Sequence, residues 1–149
     1  MNYIDASIII ILLDRNDARF YEANKVVSEE DPVMTDMGMV EFISFLSRNN
    51  LENPIAYAYH TLQKYNIKLL SLVNSSFIMG FGNVNSLFYK AMELSGKIKL
   101  RTLDLLHVSY CIYLKNNNYE IKNLFTADKE FSKSEKTLWK YGINLMILQ

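Results

Sequence analysis

Asn2-Tyr3-Ile4-Asp5-Ala6-Ser7, running on into Ile8-Ile9-Ile10-Ile11-Leu12-Leu13, is the stretch on which the reading of this chain turns. It places one carboxylate between two apolar segments. Taking an unpaired carboxylate out of water is costly, so such groups are normally hydrogen-bonded, ion-paired or bound to metal. Asp5 therefore either caps the segment that follows or meets partners from elsewhere in the chain. Residues 2–5 read as a short strand. The run 8–13 fits a buried strand or a buried helix, and periodicity alone does not decide between them. Ser7 is a candidate cap for a helix starting at Ile8.

The composition is that of an ordinary globular domain. The chain has 149 residues, half of them apolar and 21% charged, which suits one domain with a core of its own. The single cysteine, Cys111, rules out an intrachain disulfide and a cysteine-based zinc site. It lies in an apolar helical run and reads as a small buried hydrophobe. The longest apolar run is far short of the roughly 20 residues that span a membrane. No basic segment precedes it, so a signal peptide is not expected, and the expected location is the cytoplasm. A formal net charge of zero argues against a protein coated in positive charge. It leaves room for an acidic metal site with a local basic rim.

Outward from the first stretch, residues 16–30 read as a helix starting at Asn16 and ended by Asp31-Pro32. Val33-Met34 is a short strand. Thr35 caps a helix over 36–48, with Met37, Val40, Ile43, Phe45 and Leu46 on its apolar side. Asn53-Pro54 starts a helix through Tyr65, and 67–73 reads as a strand. Residues 75–95 read as mostly helical, with Gly80 and Gly82 weakening the first part and Gly96 as the stop. Thr102 caps an apolar helix over 103–117 that ends in the Asn116-Asn117-Asn118 turn. A strand over 121–126, a helix over 129–141 and a strand over 143–148 complete the chain. Strands alternating with helices predict an α/β domain with a mostly parallel sheet. Ligands in such folds sit beyond the carboxyl ends of the strands, where Asp5 and Asp128 both fall.

Four acids stand out, and each has a plain alternative. Asp5 fits a helix cap. Glu41 fits a solvated helix position, although Met37, Gly38, Ser44 and Phe45 flank it at helical spacing. Asp104 fits the acid that a helix N-terminus favours. Asp128 fits an N-cap.

Together with their neighbours, these acids resemble the pattern of the PIN-domain nucleases, which include the VapC-type toxins of toxin–antitoxin pairs. YIDAS is similar to the family's first motif. Leu100-Arg101-Thr102-Leu103-Asp104-Leu105-Leu106-His107 is similar to its LRxxDxxH segment, and Phe125-Thr126-Ala127-Asp128-Lys129-Glu130-Phe131 to its TxDxxF segment. Glu41, within MGMVEFISFL, falls where the family has a helical Glu; Asp36 is the poorer candidate on that helix. The resemblance implies a three-layer α/β/α fold, one domain over 1–149, and a helix at 8–13.

It also implies a ribonuclease using Mg²⁺ or Mn²⁺, with Asp5, Glu41, Asp104 and Asp128 as ligands or water-orienting groups. All-oxygen donors suit such hard cations. Ser7 and Thr126 are expected in support, each with an ordinary alternative as a cap or strand-end hydroxyl. His107 reads as a packed histidine more readily than as a base. Arg101, Lys129 and Lys133 are expected to hold RNA, together with Lys97, Lys99, Lys136 and Lys140; a solvated surface is the alternative. The partners implied are an RNA substrate, a small antitoxin and a second copy in a homodimer, and no membrane. Two competing readings remain. One is a PIN-like module that binds RNA or protein without cutting. The other is a small-molecule phosphohydrolase, which would want Asp-x-Asp where this chain has Ser7.

Overall fold

The structure, a computed structural model, describes residues 1–29, 31–71, 74–80 and 82–149. Five strands form one sheet: β1 (Asn2–Ile4), β2 (Pro32–Thr35), β3 (Lys68–Leu70), β6 (Asn123–Thr126) and β7 (Asn144–Ile147). Their order is β3-β2-β1-β6-β7, and every pairing is parallel. Strand residues alternate between two cores, as a period of two requires. Ile4, Met34 and Phe125 point to one, and Tyr3, Val33 and Leu124 to the other.

The first core is covered by α1 (Ala6–Ile11), α2 (Phe20–Glu29), α3 (Asp36–Arg48) and α4 (Pro54–Lys64). The second is covered by α5 (Ser86–Ser95), α6 (Thr102–Asn116) and α7 (Glu135–Lys140). The result is the expected three-layer α/β/α domain. The crossovers that step from β1 toward β3 and those that step back from β3 toward β7 run in opposite directions along the sheet and cover opposite faces, because parallel crossovers keep one hand. At the amino end, a side-chain ladder runs across the register: Asn123 donates to Asn2 at 2.7 Å and Asn144 donates to Asn123 at 3.0 Å. At the carboxyl end, the chain departs from β1 toward β2 and from β6 toward β7. That makes the β1/β6 boundary the switch point of the sheet.

The run after Asp5 is helix, and its cap is Asp5 rather than Ser7: Asp5 has extended backbone angles and accepts from the Ser7 amide at 3.0 Å. The second helix starts later than expected, at Phe20, because Asp14 and Asp17 first fold turns onto the amides of Asn16 and Arg19. On α3 the buried face is Gly38, Met39, Phe42 and Leu46, while Val40 is 66% exposed. Of the expected apolar side, Leu46 is buried and Met37, Ile43 and Phe45 pack against the cores, while Val40 belongs to the surface.

The largest correction concerns 75–95. A hairpin of β4 (Ser75–Ile78) and β5 (Gly82–Asn85), antiparallel, precedes a shorter α5. Gly80 and Gly82 take φ of 85° and 80°, which helices forbid and tight turns use, and the Asn85 side chain caps α5 through the Leu87 amide. Residues 72, 73 and 81 of the expected elements, and Glu30 of the expected second helix, lie outside the described residues. The segment after Asp128 is a 3-10 turn (Lys129–Ser134) followed by α7, rather than one helix. Cys111 is fully buried, as expected, and burial pushes its thiol well up. No helix among the described residues is long and apolar enough to cross a membrane.

Candidate active site

Asp5 leaves β1 at the switch point and is almost wholly buried. Each of its oxygens is held by a hydroxyl. Ser7 donates to Oδ1 from both its amide and its hydroxyl, and Thr126, the last residue of β6, donates to Oδ2 at 2.6 Å. The same hydroxyls accept from the next segment: Ser7 Oγ from the Ala127 amide at 2.8 Å, and Thr126 Oγ1 from the Asp128 amide at 3.0 Å. Two short side chains therefore clasp Asp5 to the turn that carries Asp128. Burial pushes the Asp5 carboxyl up, while His107, Ser7 and Thr126 pull it back down.

Asp128 caps the 3-10 turn, its Oδ1 accepting from the Glu130 amide at 2.8 Å. Asp104 stands in the first turn of α6. Its Oδ2 is buried and has no hydrogen-bond partner among the described residues. Burial, and after it the charge of Asp128, push the Asp104 carboxyl up. Glu41 reaches over from α3, and its Oε2 lies 2.5 Å from His107 Nε2.

All four acids line one cavity of about 420 Å³ at the carboxyl end of the sheet, and His107 and Arg48 line it too. Exposed Val40 and Leu103 contribute an apolar rim. Every acidic donor is an oxygen, the chemistry of a hard cation, and the orphaned Asp104 oxygen is the buried acceptor such an ion would satisfy. Among the described residues, no group of three or more His, Cys, Asp or Glu is set closely enough to grip a metal as it stands. That is compatible with an ion that keeps several waters.

The family model for the PIN domain matches residues 3–136. The chain belongs to the PIN-domain family. In fold this PIN domain is similar to VapC20 of Mycobacterium tuberculosis, a Sarcin-Ricin loop cleaving toxin. The TM-score is 0.61 at 15% identity, covering 90% of this chain and 95% of that one. No curated protein matches the sequence.

The PIN fold thus brings together Asp5, Glu41, Asp104 and Asp128, with Ser7 and Thr126 directly behind Asp5. Asp36 lies apart, accepting from the Tyr110 hydroxyl, the Ser71 hydroxyl and the Met37 amide. Arg101, Lys129 and Lys133 are exposed and do not line the cavity, and Lys133 is paired with Glu130. Arg48 was not singled out from the sequence, yet helical spacing pointed to it. Glu41, Ser44, Phe45 and Arg48 recur at three- and four-residue steps on one face of α3, and all four line the cavity. Tyr3, which contacts His107, and Thr35, which contacts Tyr3, escape a reading of the sequence because nothing local marks them.

Proposed function

We propose that this PIN domain is a metal-dependent endoribonuclease, hydrolysing RNA phosphodiester bonds to leave 5′-phosphate and 3′-hydroxyl ends, and that it serves as the toxin of a toxin–antitoxin pair. The observation that carries the reading is the convergence of four carboxylates on one cavity at the sheet's switch point, one of them holding a buried oxygen without a partner among the described residues. The similarity to a toxin that cleaves the Sarcin-Ricin loop supports RNA as the substrate, and a toxin of this kind implies a small antitoxin as partner. A homodimer is part of the same reading.

Asp5 and Asp104 would be the principal ligands for Mg²⁺ or Mn²⁺, and Asp128 would bind directly or through water. Such an ion would supply a water of lowered pKa and neutralise charge at the phosphate. The chain's own residues do the rest. Ser7 and Thr126 keep the Asp5 carboxylate turned toward the cavity. Glu41 orients the attacking water or takes its proton. Arg48 enters no ion pair among the described residues and sits at the cavity wall, placed to hold a backbone phosphate.

The test is cleavage of RNA by the purified chain with Mg²⁺ or Mn²⁺, with chelator, and with Asp5→Asn. Cleavage that stops in both controls while far-UV circular dichroism is unchanged supports the reading. Cleavage that persists in chelator sinks it. The second reading, a PIN module that binds without cutting, draws on the spread of the carboxylates. Calorimetric titration with Mn²⁺ that shows no binding, together with intact RNA, would favour it.

A further inference from the structure

His107 is the one titratable side chain of the cavity that the proposed chemistry leaves without a part. It is 2% exposed and lies on α6 one turn beyond Asp104. Nε2 faces Glu41 Oε2 at 2.5 Å. Nδ1 lies 2.7 Å from the hydroxyl of Tyr3, and that hydroxyl lies 3.0 Å from Thr35 Oγ1. Tyr3 and Thr35 are wholly buried. The chain of contacts crosses from β2 through β1 to α6 and ends on α3, at a carboxylate that is 26% exposed in the cavity.

Two features separate this chain from ordinary core packing. Thr35 stands at the cap position of α3, yet its hydroxyl makes no capping bond and turns to Tyr3 instead. A free cap site given up for a buried contact points to a requirement at the other end. In addition, every polar atom of the ring has a partner, so the network is fully satisfied, and satisfied buried networks hold a unique geometry. An ionised Glu41 only accepts, which places a proton on Nε2. The Tyr3 ring meets the imidazole edge-on, with centroids 5.9 Å apart and planes at 76°.

We propose that His107 is the positioning residue for Glu41: its Nε2–H fixes the carboxylate's direction in the cavity, and Tyr3, braced by Thr35, fixes the ring. This rests on Glu41 acting at the site as proposed above. Its consequence is that Tyr3, which touches no substrate, controls turnover through two intermediaries. Burial pushes the Tyr3 phenol well up, which keeps it a neutral hydroxyl.

The test uses the full chain labelled with ¹⁵N-histidine, free of metal, and long-range ¹H–¹⁵N spectra. The expected result is a protonated His107 Nε2 whose resonance moves in Glu41→Gln, and an Nδ1 resonance that moves in Tyr3→Phe. An unprotonated Nε2, or spectra indifferent to Glu41→Gln, overturns the proposal. Kinetics give the second arm. Tyr3→Phe should lower kcat on RNA about tenfold with KM unchanged, and combined with Glu41→Gln it should be no slower than Glu41→Gln alone. Losses that multiply would overturn the proposal. Thr35→Val serves the same purpose if Tyr3→Phe does not fold. A wild-type chain that cleaves no RNA under any metal overturns the nuclease reading, and the spectra still decide what His107 holds.

Discussion

The hydroxyl of Thr126 donates to Oδ2 of Asp5 across 2.6 Å and accepts from the Asp128 amide at 3.0 Å, so one side chain sets the distance between two of the four acids. Thr126→Val keeps the shape and removes both bonds. A buried carboxylate short of one donor costs about 1–3 kcal/mol, so the variant should be less stable by that order in urea melts. The Thr126 bond also pulls the Asp5 carboxyl down against the upward push of burial. Without it the carboxyl rises further, and the acidic limb of RNA cleavage should move to higher pH. Thr126→Ser should restore the limb; a limb that stays in place in Thr126→Val would show that Asp5 is held by Ser7 alone.

Asp104 predicts the opposite sign for stability. Its carboxyl is pushed up by burial and by Asp128, so the folded state disfavours the charged form. For such a group the penalty is fully present above the raised folded value. It fades as pH falls through that value, and is gone below the ordinary one. Asp104→Asn should therefore melt higher than the parent at neutral pH without metal, by an amount that solvent screening at this part-exposed carboxyl keeps small. The gap should close on acidification. Saturating Mn²⁺ should reverse the order, because only the parent keeps the ligand and gains from binding. Equal melting temperatures at neutral pH would mean that water already satisfies the orphaned oxygen.

Arg48 and Lys133 separate a cavity cation from a surface one. Arg48 lines the cavity, while the Lys133 ammonium is engaged by Glu130 one turn earlier. Arg48→Gln should weaken RNA binding and lower the slope of log affinity against log salt by about 1. Lys133→Gln should change both much less. Binding of a short RNA by fluorescence anisotropy, at several salt concentrations and with inactive Asp5→Asn as the background, measures both slopes.

Where Asp5, Asp104 and Asp128 fall among the elements is legible in the sequence, and the reason is physical. Asp5, Asp104 and Asp128 each sit at an element's end, where local sequence pattern is strongest: a strand running into an apolar segment, a helix start, a strand-end Thr-x-Asp. The hairpin at 75–85 was read as helix because its apolar residues suit either element. What decides is the left-handed backbone at Gly80 and Gly82, a tertiary turn geometry rather than a periodicity. Helix α3 lies where expected with most of its expected apolar side inward; Val40 and Phe42 are both apolar, and only packing chooses which of them faces the core. Tyr3 looked like a strand aromatic. Its partners, Thr35 and His107, are 32 and 104 positions away, and no local pattern reports a contact at that range.

Gly38 tests how tightly α3 must sit for Glu41 to reach the cavity. Alanine is the better helix former, by up to about 1 kcal/mol in a helix interior and less in the first turn where Gly38 stands, so Gly38→Ala by itself favours the helix. Here a Cβ at position 38 would lie 3.0 Å from Met34 Cγ on β2. Met34 is wholly buried, in a core packed too closely to yield freely. The helix must then move away from the sheet by a few tenths of an ångström, and Glu41, three residues on, moves with it. The expected outcome is a net loss of stability, despite the better helix former, and a loss of kcat without a matching rise in KM. Met34→Ala, which removes the Cγ, should recover part of the kcat in the double variant, at a cost in stability from the cavity it leaves. A Gly38→Ala chain that is more stable and fully active would show that α3 has slack against β2. The position of Glu41 would then depend on His107 rather than on how the helix is seated.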